Sequence, residues 1–154
     1  MVFRALICCA WLLVVVPASG FGHAEVKPAA SAPGSRGTVT IQIPHGCSGE
    51  TGAVADTTRI STHVPRGFTA LRPRSPRGWR VRVTAVSGGQ RVEWTRTAAR
   101  STVLDFPIGV RFPMRAGAFA FPTVQYCGKR SVAWIERSVG GEEPEYPVPT
   151  FVVG

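Results

Sequence analysis

The sequence predicts an all-β protein: a single antiparallel β-sandwich following an N-terminal export signal. Three observations carry this reading. Apolar and polar residues alternate with period two in at least six segments. Gly-, Pro- and Ser-containing turn signals recur between them. No segment after the leader sustains a helical period.

The leader is residues 1–22. Arg4 supplies a positive n-region, Ala5 to Val16 is an apolar run, and Pro17-Ala18-Ser19-Gly20 breaks it before a cleavage site. The run is about a dozen residues, too short to span a bilayer. Cleavage after Gly22 leaves small residues at the −3 and −1 positions; cleavage after Gly20 or Ala18 competes with it. Cys8-Cys9 precedes most of the apolar run, which argues against lipidation. Residues 23–154 are expected to form one exported domain without a membrane span.

Val26 to Arg36 reads as an extended lead-in with turns at Pro28 and Pro33-Gly34. Thr38 to Ile43 alternates, with Val39, Ile41 and Ile43 on one face. Pro44 to Glu50 is a loop. Thr57 to Val64 is a strand turned by Pro65-Arg66-Gly67, and Phe68 to Leu71 continues extended. Trp79 to Val86 alternates, which aims Trp79, Val81, Val83 and Ala85 inward. Ser87-Gly88-Gly89-Gln90 is a hairpin signal, and Arg91 to Thr95 returns from it. Thr102 to Phe112, Ala118 to Cys127 and Val132 to Arg137 complete the firm strands. Gly140-Gly141-Glu142-Glu143-Pro144 reads as a flexible tail before Tyr146 to Val153. Seven or eight short strands with regular turns indicate an Ig-like sandwich.

Removing the leader takes Cys8 and Cys9 with it and leaves Cys47 and Cys127. Two cysteines in an oxidising compartment most simply form one disulfide; a thiolate metal site is the competing reading. A loop of about eighty residues closed this way contributes roughly 4 kcal/mol in the loop-entropy treatment.

Formal charge is +9, and sixteen of the eighteen basic residues are Arg. They are scattered along the chain, with no helix-turn-helix, RNP box or zinc finger, so the reading is a solvated basic surface and no nucleic-acid partner. No Ser-His-Asp arrangement or nucleophile elbow supports hydrolysis.

If the leader is cut after Gly22, His23 becomes the first residue. A terminal histidine offers its free α-amine and ring Nδ1 as one chelate, and two nitrogen donors suit Cu(II) among the divalent first-row ions. His45 is a candidate further ligand, with Glu50 and, behind it, Glu136 as carboxylate candidates. His63 reads as a surface residue, and Trp79 and Trp94 as core.

Several stretches together resemble the YcnI-like domain, also called DUF1775. They are His23, Ile43-Pro44-His45-Gly46-Cys47, Thr57-Thr58, Val64-Pro65-Arg66-Gly67, Pro76-Arg77-Gly78-Trp79, Val92-Glu93-Trp94, Phe121 to Cys127 and Trp134-Ile135-Glu136. The resemblance covers about residues 23 to 150 and implies an exported β-sandwich that binds Cu(II) through a single-histidine brace. His23 matches the brace residue and Trp134 the tryptophan beside the metal. The family's carboxylate follows the Val-Pro pair ending the first strand, where this chain has His45-Gly46-Cys47. That departure leaves the third ligand to His45 or Glu50. A Cys47–Cys127 bond is consistent with relatives that share the His-Gly-Cys version. The resemblance also implies a part in copper handling, with a copper chaperone or copper-import membrane protein as partner.

Two rival classes remain at this stage. A copper-dependent polysaccharide monooxygenase would need a second imidazole, from His45 or His63. A metal-free Ig-like interaction module would follow from cleavage upstream of Gly22. A binding protein rather than an enzyme is the expected class.

Overall fold

Alternation of apolar and polar side chains becomes alternation of burial in the computed structural model, which describes residues 22–28, 30–47, 57–99 and 105–154. Residues 1–21, most of the expected leader, lie outside it, as does Glu50. Among the described residues twelve strands follow in order: β1 (Glu25–Lys27), β2 (Ala30–Ser31), β3 (Arg36–Gln42), β4 (Arg59–Pro65), β5 (Thr69–Pro73), β6 (Trp79–Val86), β7 (Gly89–Arg96), β8 (Asp105–Arg111), β9 (Gly117–Ala120), β10 (Thr123–Cys127), β11 (Arg130–Trp134) and β12 (Thr150–Val153). Among the described residues there is no helix, hence none long and apolar enough to cross a membrane.

The strands form a four-stranded sheet ordered β1-β3-β8-β5 and a five-stranded sheet ordered β11-β10-β4-β7-β6. A small sheet, β2-β12-β9, closes one side. Its β2–β12 pair is parallel; the other pairings are antiparallel. The two large sheets face each other through Val39, Ile41, Phe106 and Ile108 on one side and Ile60, Val92 and Trp94 on the other, all fully buried. Phe106 meets Trp79 edge-on at a centroid distance of 4.9 Å and Trp94 at a tilt at 5.4 Å, joining the sheets. Phe68 does the same for the small sheet, meeting Phe119 at 5.3 Å and Phe151 at 6.0 Å.

The β6–β7 hairpin turns through Ser87-Gly88, as the sequence indicates. A side chain at Gly89 would collide with the carbonyl oxygen of Val64, so β4 and this turn can approach closely only because residue 89 is glycine.

Three expectations change. Trp79 is buried and Val81 half-buried, but Val83 and Ala85 are exposed, because β6 is an edge strand whose far half overhangs the core. Ala118 to Cys127 is not one strand. Phe121-Pro122 interrupts it, sending β9 to the small sheet and β10 to the five-stranded one. The tail after β11 is folded against the body rather than loose, and only Thr150–Val153 of the predicted last strand is paired as a strand.

Candidate metal centre

β10 carries Gln125 on its inward face, and this buried amide organises the region. Its Nε2 donates to the carbonyl of His45 at 2.6 Å and to Thr57 Oγ1 at 2.9 Å. Its Oε1 accepts from Trp134 Nε1 at 3.3 Å. Every polar atom of the amide group is therefore used, as its burial requires. Beside it, Cys47 and Cys127 form a disulfide with Cα atoms 6.0 Å apart, which rules out the thiolate metal site. The Cys47 N–H also donates to Cys127 Sγ at 3.1 Å. The loop after Ile43 is thus held to β10 by one covalent bond and by Gln125.

His23 is delivered to this loop by the pairing of β1 with β3. The register sets Glu25 opposite Gln42, and two more residues along the same ladder bring His23 beside Pro44. Gly22 packs so closely on Pro44 that a Cβ there would lie 2.6 Å from the proline Cβ. His23 is half-buried, and its ring centroid stands 6.2 Å from that of Trp134. Trp134 is 1% exposed and also meets the rings of His45 at 6.0 Å and Tyr146 at 5.5 Å. The tryptophan is therefore a floor shared by both imidazoles. His45 Nδ1 lies 2.6 Å from the Gly46 carbonyl, which can only accept, so Nδ1 is the donor and Nε2 is left outside this contact.

The segment read as a flexible tail supplies a carboxylate. Gly140 and Gly141, at φ 68° and 86°, turn the chain so that Val139 bridges Glu142. Glu136 fastens the return: its N–H donates to the Tyr146 carbonyl, its carbonyl accepts from Val148 N–H, and its carboxylate accepts from Tyr146 N–H at 3.0 Å. Glu136 is thereby occupied in holding the tail. Glu143, on the returning arm, brings Oε1 to 3.1 Å from His23 Nδ1. An open cavity of about 650 Å³ adjoins the pair, lined among others by Glu25, Lys27, Pro147 and Thr150. The Tyr146 phenol titrates above its ordinary value, first because it hydrogen-bonds Glu145 and then because of that carboxylate's charge.

The structure thus brings His23, His45 and Trp134 into one neighbourhood and adds Glu143. Glu50 falls outside the described residues. His63 is half-buried on the outer face of β4. Among the described residues, no three His, Cys, Asp or Glu side chains are gathered into a metal cluster. A usable sequence signal for Glu143 did exist: four of the nine acidic residues of a basic chain, Glu136, Glu142, Glu143 and Glu145, fall within ten positions.

Residues 23–153 match the family described as a domain of unknown function, DUF1775. The chain belongs to the DUF1775 family. Among solved structures, this DUF1775 protein is similar to an uncharacterised protein from Nocardia farcinica reported to have an immunoglobulin-like fold. The two are 25% identical, with a TM-score of 0.68 over 85% of this chain and 97% of that one. No curated protein matches it. The sandwich of this DUF1775 chain is accordingly Ig-like, as its strand pattern predicts.

Proposed function

We propose that this is an exported copper-binding protein that holds Cu(II) through the mature N-terminal His23 and takes part in copper handling or delivery. One observation carries the reading: Glu143 Oε1 stands 3.1 Å from His23 Nδ1, so a nitrogen donor and a carboxylate oxygen from distant segments converge on one point. Nitrogen with oxygen donors suits Cu(II) in a tetragonal arrangement. Once the leader is cut after Gly22, the α-amine of His23 adds a second nitrogen. Glu143 then takes the carboxylate role that the resemblance leaves open, Trp134 supports the histidine ring, and His45 or Glu50 remains available as a further ligand. The acidic tail gives the site a favourable local field in a protein of opposite net charge, and long-range repulsion is screened within about 10 Å at ordinary ionic strength.

N-terminal sequencing of the exported protein, followed by Cu(II) titration, tests the proposal. The mature protein should begin at His23 and bind one Cu(II). A form keeping one extra residue before His23 has an amide in place of the amine and should bind far more weakly, whereas His63→Ala should bind as the mature protein does. Equal binding by all three forms would refute the brace. Oxidation of a polysaccharide with ascorbate or hydrogen peroxide as co-substrate would move the protein to the monooxygenase class. A copper chaperone or copper-import membrane protein is the class of partner proposed to exchange the ion.

A further inference from the structure

The first strand turns three titratable side chains to one side. Ala24 and Val26 point into the core, at 3% and 5% exposure, so the period of two sends His23, Glu25 and Lys27 outward together. All three line the open cavity, and Glu143 joins them from the returning arm. Alternate residues of a strand stand about 6.6–6.8 Å apart, so Glu25 lies midway between His23 and Lys27. Its carboxylate is turned to Lys27, with Oε2 3.3 Å from Nζ. Both side chains of that pair are 55% exposed, and an ion pair so open to water contributes little. Gln42, opposite Glu25 on β3, is engaged elsewhere, donating from Nε2 to Asp105 at 2.9 Å. One weak, screened contact therefore decides which way this carboxylate faces.

We propose that Glu25 is a further ligand of the candidate centre, held aside by Lys27 and released to a cation bound at His23. The proposal rests on Cu(II) being held there. A divalent ion bonds a carboxylate oxygen directly and carries twice the charge of the Lys27 ammonium, so Glu25 gains by exchanging one for the other. With the His23 α-amine, its Nδ1 and Glu143, Glu25 makes two nitrogen and two oxygen donors, a set that suits tetragonal Cu(II). Two carboxylates also balance the charge of the ion. The turn towards Lys27 accounts for the lack of a ready-made three-ligand cluster among the described residues. Lys27 remains beside the site as a competing partner for the carboxylate, which eases transfer of the ion to an acceptor.

Cu(II) titration of the mature protein tests this, run at about 0.05 M and about 0.5 M salt. Glu25→Gln should weaken binding about tenfold at both, because loss of a bonded oxygen is not screened. Glu142→Gln alters only the local field and should lie within about twofold of the mature protein at the higher salt. Lys27→Gln should tighten binding about two- to fivefold there, and by less than about twofold once Glu25 is also Gln. Paramagnetic resonance of the bound Cu(II) gives a second readout: E25Q should shift the parallel hyperfine coupling and E142Q should leave it in place. The proposal is overturned if E25Q binds as the mature protein does at the higher salt, or leaves the spectrum unchanged. It is equally overturned if K27Q tightens binding as much with Gln at position 25 as with Glu. The form with one extra residue before His23 separates this proposal from the brace. Weak binding by that form beside normal binding by E25Q refutes Glu25 and keeps the brace, whereas a mature protein that binds no Cu(II) overturns both.

Discussion

Glu143 and His23 meet at 3.1 Å although one opens the folded domain and the other belongs to the arm that returns after β11. The contact exists because two independent devices converge: the β1–β3 ladder carries His23 to Pro44, and Glu136 staples the returning arm beside it. If Glu143 completes the copper site, Glu143→Gln removes a ligand charge while keeping shape, and Cu(II) affinity should fall at least about tenfold. Glu142→Gln, one residue away, should change it by less than about threefold, since an exposed, screened charge contributes little. Isothermal titration of both variants decides; equal losses would mean that only the general field of the tail matters.

Proton competition sets the pH dependence. An unperturbed α-amine has a pKa of about 7.7–8.0 and must lose its proton before binding metal. The protonated form dominates below that range, so affinity should decline about tenfold per pH unit as pH falls from about 7.5. The extended form lacks that amine and should lose this slope. Competition titrations near pH 6 and pH 8 would expose a flat profile, which would exclude the amine as a ligand.

The sandwich is legible in the sequence because strands with one solvated face must alternate, and β4 and β8 do so without interruption. The overhang of β6 is not legible: Val83 and Ala85 keep the correct period, and only the position of their strand at the sheet edge leaves them exposed. The candidate site is half legible. His23, His45 and Trp134 stand out as residue types that need a role. Glu143 stands out only as one of four clustered acidic residues, because the arm bearing it is held by isolated bridges and by Glu136, neither of which leaves a period in the sequence.

Removing the disulfide should cost stability more than it disturbs the fold. Cys47 and Cys127 are separated by 80 residues, for which the loop-entropy treatment gives roughly 4 kcal/mol. Cys47→Ser with Cys127→Ser should therefore lower Tm by roughly 10–15 °C for a domain of this size. The far-UV spectrum should remain that of a β protein, because the strands keep their ladders and aromatic core. A loss of only one or two degrees would show that the 44–47 loop is held mainly by Gln125.

Gln125 allows that division to be tested directly. Its amide nitrogen serves the His45 carbonyl and Thr57, while its oxygen serves the Trp134 indole. Gln125→Leu fills similar volume but takes the partner from the Trp134 indole and the half-buried His45 carbonyl, and leaves Thr57 Oγ1 only its contact with Cys127 Sγ. At about 1–3 kcal/mol for each, the loss should reach about 3 kcal/mol or more, roughly 10 °C in Tm. Gln125→Glu keeps the acceptor for the indole and replaces the two-proton donor. Ionised, it would face the His45 carbonyl and the Thr57 hydroxyl oxygen with a buried charge, so it should destabilise at least as much as Leu near neutral pH. Protonation restores one donor, so the Glu variant should regain part of its deficit as pH falls, which the Leu variant cannot do. Thermal melts of both variants across pH measure this. If the Glu variant matches wild type at neutral pH, the amide nitrogen is not what ties His45 and Thr57 to β10, and the disulfide alone holds the loop beneath His23.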